Sequence, residues 1–200
     1  MKLKRVKKIE FAKNAKAFSN TMSFQEQFNT EIRKKIMQDL GIKNPMAVPT
    51  IIKIVVNVGA GEAVVNKNVI EKIQEQLAII SGQKPVITKA RVSISAFKVR
   101  KGMPLGVKVT LRGKKMYEFL EKLVKIVIPR IRDFRGISNT TIDQHGNLNL
   151  GFSEQTLFPE IEFDAIDKVR GLQVTIVSTA KNAVVGKKLY EIIGIPFKAN

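Results

Sequence analysis

The spacing of apolar residues along the chain predicts four amphipathic helices. In the first helix, apolar side chains recur at every fourth position and therefore share one face: Phe24, Phe28, Ile32, Ile36 and Leu40. The Ser-Phe-Gln-Glu sequence at residues 23–26 has the pattern of an N-terminal capping box, and Gly41 is typical of a C-terminal stop. Similar patterns predict three more helices, at about residues 68–81, 114–128 and 182–193.

Alternation of apolar and polar residues predicts the strands. The clearest strand covers residues 106–112, where Val107, Val109 and Leu111 lie on one side and the polar residues between them lie on the other. Four further strands are predicted at residues 51–58, 85–90, 147–152 and 172–179. The predicted order is therefore helix, strand, helix, strand, strand, helix, strand, strand, helix.

This order of elements predicts an α+β sandwich of the ferredoxin-like or RRM-like kind, with an antiparallel-rich sheet and helices packed on one face. We expect residues 21–200 to form a single domain, and residues 1–20 to be a basic extension that is flexible on its own. The face without helices, the open face, would carry polar side chains: Lys53, Asn57, Lys108, Thr110, Arg112, Asn149, Gln173 and Thr175. Such a face suits RNA, and its lack of aromatic residues favours recognition of backbone and shape over base stacking.

The charge of the chain also favours a nucleic-acid partner. There are 35 Lys and Arg residues against 17 Asp and Glu, a net charge of +18, and such a surface repels itself unless a polyanion neutralises it. The excess is not uniform, because basic and acidic residues balance in the last fifty positions. Between Glu75 and Glu118 lies an acid-free interval with ten basic residues: Lys84, Lys89, Arg91, Lys98, Arg100, Lys101, Lys108, Arg112, Lys114 and Lys115.

The residues offer little for enzymatic or metal chemistry. There is no cysteine, and the single histidine, His145, lies in a sequence typical of a turn, so thiol chemistry and histidine-based triads are not supported. The turn at residues 59–61 lacks the third glycine of a dinucleotide-binding loop, and the acidic group at residues 160–167 lacks EF-hand spacing. We therefore expect no catalytic activity, no cofactor and no metal ion. No apolar stretch approaches the roughly 18 residues of a membrane-spanning helix.

Seven segments occur in a familiar order: NVGAGEA at residues 57–63, SGQKP at 81–85, TKA at 88–90, FKVRKGMP at 97–104, KVTLRG at 108–113, PRIRDFRG at 129–136 and FPEI at 158–161. With them the chain closely resembles bacterial-type large-subunit ribosomal protein five, the 5S rRNA-binding family of the central protuberance. The resemblance runs from about residue 22 to residue 197. It departs at residues 1–20 and at 139–145, where His145 stands in place of the common arginine.

The resemblance implies a structural protein of the ribosome, in the bacterial cytoplasm or, as an alternative, in an organelle. It implies attachment of 5S rRNA to the large subunit, with further contacts to 23S rRNA, a protein of the small-subunit head, neighbouring large-subunit proteins and P-site tRNA. The residues expected on 5S rRNA are Asn57, Gln83, Lys108, Thr110 and Arg112, of which Gln83 comes from the resemblance alone. The loop expected on tRNA runs from residue 93 to residue 100 and offers Ser93, Ser95, Lys98 and Arg100.

Three alternatives to the ribosomal function come from other classes of protein. A non-ribosomal RNA chaperone would share the charge but would not prefer 5S rRNA over tRNA. A small phosphate-handling enzyme on the same scaffold would have to show turnover. A protein-interaction module would have to explain the acid-free interval without a polyanion, although the acidic group suits a basic protein partner: Glu160, Glu162, Asp164 and Asp167.

Overall fold

The computed structural model describes residues 23–66, 68–161 and 166–198. At its centre is a five-stranded antiparallel sheet with the strand order β2-β3-β1-β5-β4. The strands are β1 (Ile51–Gly59), β2 (Val86–Lys89), β3 (Pro104–Leu111), β4 (Leu148–Phe152) and β5 (Leu172–Ser178). All five occur where the alternating pattern predicts them. The predicted basic extension at residues 1–20 lies outside the described residues.

The first helix, α1, comprises the segments Phe24–Gln27, Phe28–Ile32 and Arg33–Leu40, of which the middle one is a π-helical turn. The predicted capping box is confirmed: the backbone N–H of Glu26 donates to the Ser23 hydroxyl at 3.3 Å, and the backbone N–H of Ser23 donates to the Glu26 carboxylate at 3.0 Å. The spacing of four between apolar residues is longer than the 3.6 residues of an α-helical turn, so in a regular α-helix the apolar residues would gradually rotate around the helix axis. The wider π turn reduces this rotation and keeps them on one face.

Three further helices follow the strands in the predicted order. They are α2 (Asn68–Ser81), α3 (Gly113–Lys122) and α4 (Ala183–Ile193). Helix α3 continues into a π turn, Leu123–Val127, and ends in a 3-10 turn, Ile128–Arg130. The 3-10 turn contains Pro129, which has no backbone N–H to extend a helix.

The core lies on one face of the sheet. Along β1, Ile54, Val56 and Val58 are buried while the residues between them are only half-buried, and β3 and β5 show the same alternation. Helix α2 packs against β3, and α3 contacts β1. Full burial of each large apolar side chain contributes about 1.5–3 kcal/mol to folding. The helices pack on this face because they bury its apolar side chains there. The α+β prediction, with helices on one face, is confirmed.

Tyr190 of α4 fixes that helix to the sheet. Its side chain is fully buried, and its hydroxyl lies 2.9 Å from the carbonyl oxygen of Gly146 and 3.1 Å from that of Ile176. Burial raises the pKa of the Tyr190 hydroxyl to about 12. Beside this contact the backbones of Gly146 and Gly186 meet so closely that a Cβ built on Gly186 would lie 2.7 Å from the Gly146 Cα. Glycine is thus required where α4 crosses the turn before β4.

Candidate RNA-binding face

Strand pairing aligns the side chains of the open face in rows across the sheet. In one row, Lys108 of β3 lies opposite Asn57 of β1, which lies opposite Gln173 of β5. The next row contains Thr110, Val55, Thr175 and Asn149. Directly paired residues of antiparallel strands have Cα atoms about 4.5–5.5 Å apart. Three of the predicted RNA-binding residues, Asn57, Lys108 and Thr110, therefore form one compact patch.

The polar groups of this patch are accessible, and one of them is oriented by a neighbour. Lys108 and Gln173 are exposed, whereas Asn57, Thr110 and Thr175 are half-buried. The Thr175 hydroxyl donates to the Asn149 side-chain oxygen at 2.8 Å, which leaves the Asn149 amide N–H groups directed elsewhere. The two rows contain no aromatic residue. The arrangement offers hydrogen bonds and positive charge but no ring on which a base could stack.

Gln83 joins this patch from outside the sheet. It lies in the turn after α2, where its side-chain amide donates to the main-chain oxygen of Thr110 at 3.3 Å. Its own main-chain oxygen accepts a hydrogen bond from the Ser81 hydroxyl at 3.0 Å. The turn is therefore held against the end of β3. The structure thus brings Gln83, which the spacing of strand residues did not reveal, to the other predicted 5S rRNA contacts.

Within the described residues, the cations of the open face have no acidic partner. Lys108 and Arg112 are exposed, and no carboxylate in the described part of the chain lies within 4 Å of either. Arg112 directly follows β3 and occupies the N-cap position of α3 with an extended backbone. By contrast, several lysines on or near the helices do have carboxylate partners, such as Lys125 with Glu121 at 2.7 Å. The polar rows are therefore accompanied by positive charge that no carboxylate of the described residues neutralises.

The segment between β2 and β3 forms an ordered hairpin arm, residues 90–103. Main-chain hydrogen bonds join Ala90 to Met103 at 2.8 Å, and Ile94 and Val99 bond to each other at 2.9 and 3.1 Å. The tip is a single 3-10 turn, Ser95–Phe97, and Lys98 follows it in the left-handed conformation with φ of 54°. The predicted tRNA-contacting loop is thus an extension of two strands of the sheet.

The four residues of the predicted tRNA-contacting loop differ in their hydrogen bonding within the hairpin arm. Ser95, Lys98 and Arg100 are exposed at or near its tip. The hydroxyl of Ser93 accepts a hydrogen bond from the backbone N–H of Lys101 at 2.9 Å. Ser93 therefore helps to close the hairpin in addition to being exposed.

Three apolar side chains of the hairpin arm are exposed: Val92, Ile94 and Phe97, the last at 71% of its surface. Val92 and Ile94 alternate with Arg91, Ser93 and Ser95, because successive side chains of an extended segment lie on opposite sides. Phe97 lies in the 3-10 turn at the tip and does not follow this alternation. None of the three was among the predicted site residues.

An ion-pair network supports the end of the sheet nearest the hairpin arm. Arg170 is 7% exposed and pairs with Asp167 at 3.2 Å and with Glu62 at 3.8 Å. Lys168 also pairs with Glu62, and Lys72 of α2 pairs with Asp167 at 3.1 Å. Hydrogen bonds from Arg170 and Lys72 lower the pKa of the Asp167 carboxyl to about 2. The network connects the turn after β1 to the start of β5, so it positions the row that contains Asn57.

Two of the four acidic residues of the candidate metal group form ion pairs within the chain. Glu160 pairs with Lys122 of α3, and Asp167 belongs to the ion-pair network. Among the residues described, no group of three or more histidine or acidic side chains is arranged to hold a metal ion. Residues 162–165, which include the other two acids of that group, lie outside the described ranges. Within those ranges no helix is both long enough and apolar enough to span a membrane.

Comparison with known proteins agrees with this architecture. A family model described as ribosomal protein L5 matches residues 44–100, and a second model, for the C-terminus of the same ribosomal protein family, matches residues 104–197. Large ribosomal subunit protein uL5 of Dictyoglomus turgidum is 53% identical over 174 residues, covering 87% of this chain and 97% of the relative.

Two further relatives give the same result. The uL5 proteins of Citrifermentans bemidjiense and Desulforapulum autotrophicum are 51% and 52% identical, over 86% and 88% of this chain and 97% and 98% of their own lengths. The family models together cover most of the chain, and the identities extend over nearly the full length of each relative. The chain belongs to the ribosomal protein L5 family, whose members are structural proteins of the large ribosomal subunit.

Proposed function

We propose that the open face binds 5S rRNA and attaches it to the central protuberance of the large subunit. The observation that carries this proposal is the row of Lys108 and Asn57 beside Thr110, with Arg112 and Gln83 at the end of β3. Two exposed cations without acidic partners among the described residues lie next to amide and hydroxyl groups that are fixed by strand pairing. Five predicted contacts from three segments of the chain thus form one surface.

The chemistry of this surface suits the backbone of a structured RNA. Lys108 and Arg112 would neutralise phosphates and release the cations condensed on them. Asn57 and Thr110 would donate and accept hydrogen bonds at sugars and base edges, which fixes the register of the RNA on the sheet. Because the rows contain no aromatic side chain, recognition rests on the shape of the RNA and its 2′-hydroxyl groups.

The hairpin arm would contact tRNA in the P site. Lys98 and Arg100 are exposed near the tip, and no carboxylate of the described residues lies within 4 Å of them. The arm extends β2 and β3 beyond the end of the sheet. Its cations can therefore reach a second RNA while the open face holds the first.

We extend the proposal to the remaining partners that the resemblance implies. They would be 23S rRNA, a protein of the small-subunit head and neighbouring large-subunit proteins, within the ribosome of the cytoplasm. The role is one of assembly without turnover, carried out by residues 21–200 as a single domain. The basic residues at positions 1–20 would add a further RNA contact.

The test is a gel-shift titration of 5S rRNA with the full chain at physiological salt, in the presence of excess tRNA. We expect tight binding that survives the competitor, because the fixed positions of the polar groups on the open face should favour one RNA shape over others. Binding that tRNA abolishes would reject specific 5S recognition and support the RNA chaperone alternative. The salt concentration has to be fixed, because phosphate-dominated affinity falls steeply as salt rises.

A further inference from the structure

A groove lies at the edge of the sheet opposite the hairpin arm. Four consecutive residues of β4, from Asn149 to Phe152, line one wall of a cavity of about 230 Å³. The other wall is formed by the segment after α3: Ile128, Ile131, Phe134, Ile137, Ser138 and Thr141. Because consecutive residues of a strand line the cavity, the edge of β4 itself faces it. None of the apolar residues that line this groove belongs to the predicted open face.

The backbone of β4 is unpaired along this groove. Among the described strands, β4 is the last of the sheet and pairs only with β5. In the described part of the chain, its outer edge meets another segment only at the isolated bridge between Ile142 and Leu148. In an antiparallel sheet, alternate residues of an outer strand direct their N–H and C=O groups away from the sheet. An extended peptide could bond to these groups as an additional strand.

The wall opposite β4 is held in place by the end of the chain. The backbone N–H of Ile137 donates to the Pro196 oxygen, and that of Lys198 donates to the Ile137 oxygen, both at 2.9 Å. Gly136 has φ of 91°, and a Cβ there would lie 2.8 Å from the backbone of Phe197 and Lys198. The groove is therefore formed before any partner binds, which lowers the entropic cost of binding.

The segment that forms the wall opposite β4 also carries three exposed arginines, which alternate in sequence with groove residues. They are Arg130, Arg132 and Arg135, and no carboxylate of the described residues lies within 4 Å of any of the three. Arg130 and Arg132 line a neighbouring cavity together with Glu154, and Asp133 lies on the same segment, so the arginines still outnumber the acids there. Arginine forms bidentate hydrogen bonds with carboxylates. A ligand that extends from the groove to these arginines should therefore be acidic.

We infer that this β4 groove binds an extended acidic segment of a partner protein, with an apolar side chain seated in the cavity. RNA could satisfy the arginines, but it would leave the unpaired edge of β4 without a partner. A second copy of the chain is disfavoured because each copy carries a net charge of +18. The chain's own first 22 residues are also unsuitable, since they contain seven basic residues and one acidic residue.

The inference can be tested in assembled ribosomes containing the full chain with the photo-crosslinker p-benzoylphenylalanine at Thr140. Thr140 is exposed beside the groove residues Ser138 and Thr141. After irradiation, mass spectrometry identifies the crosslinked molecule. We expect a peptide with a net negative charge and an apolar residue at or next to the crosslink. Crosslinking to RNA alone, to a basic peptide, or to nothing would overturn the inference.

A charge-matched pair of variants shows whether the arginines hold the partner. Replacing Arg130, Arg132 and Arg135 by Ala should lower the crosslink yield about tenfold, because the interfacial charge pairs are lost. The control replaces three exposed lysines elsewhere, Lys43, Lys181 and Lys188, and should leave the yield unchanged. Equal losses in both variants would show only a general effect of charge and overturn the inference. The gel shift with 5S rRNA should not change in the arginine variant, so the two proposals fail independently.

Discussion

The side-chain amide of Gln83 donates a hydrogen bond to the main-chain oxygen of Thr110 at 3.3 Å. The two residues are 27 positions apart in sequence, and the contact fixes the turn after α2 against the last part of β3. Arg112 begins α3 two residues further on. A helix end, a strand and a helix start therefore meet at the proposed 5S rRNA surface.

Arg112→Ala should weaken binding of 5S rRNA by roughly 1–3 kcal/mol if the guanidinium makes a bidentate contact. The side chain is exposed, so the free energy of unfolding should change by no more than about 0.5 kcal/mol. A filter-binding titration at fixed salt measures the affinity. The control is Lys114→Ala, which removes a nearby cation that already pairs with Glu118 at 3.8 Å. Unchanged affinity for the Arg112 variant would exclude this role.

The double variant Lys98→Ala with Arg100→Ala should bind 5S rRNA almost normally and lower the occupancy of tRNA in the P site. Both side chains lie on the hairpin arm, away from the paired rows of β1 and β3. Filter binding of tRNA to assembled ribosomes gives the occupancy, and the 5S gel shift gives the control. Similar losses in both assays would place the hairpin arm in the 5S rRNA interface.

Gly186→Ala should destabilise the fold by about 1–3 kcal/mol, because the added methyl group would overlap the backbone of Gly146. For a chain of this size, each kcal/mol corresponds to a fall in Tm of about 2–4 °C. Thermal unfolding followed by circular dichroism measures the change. Gly151→Ala is the matched control, since a Cβ at that glycine would have no atom within 4 Å. If both variants melted at the wild-type temperature, the close approach of α4 would not be confirmed.

The ion-pair network should make stability depend on pH in the acid range. The pKa of Asp167 is lowered from 3.8 to about 2 in the folded chain, so its ionised form stabilises the fold at neutral pH. This contribution is fully present above the unfolded pKa and is lost as the pH falls from about 4 towards 2. Urea unfolding at several pH values should show a smaller decline between pH 4 and pH 2 for Asp167→Asn. An identical pH profile for both proteins would contradict this assignment.

The order of elements and the open face could be predicted because they depend on local periodicity. Alternation along β3 placed Lys108 and Thr110 on one side, and the strand register, which the sequence did not predict, aligned Lys108 with Asn57. The ion pair of Glu62 with Lys168 joins residues 106 positions apart, and no local pattern indicates it. The β4 groove was likewise hidden, because its walls come from two segments whose approach depends on packing at the end of the chain.

The hairpin arm shares its two strands with the proposed RNA-binding face. The chain passes from Lys98 at the tip into β3, which carries Lys108, through paired backbone with main-chain bonds at residues 94 and 90. The proposed tRNA contact at Lys98 and the proposed 5S rRNA contact at Lys108 are therefore separated by ten positions of one chain segment. On the proposed function, the two RNA molecules would be connected through this single short stretch of backbone.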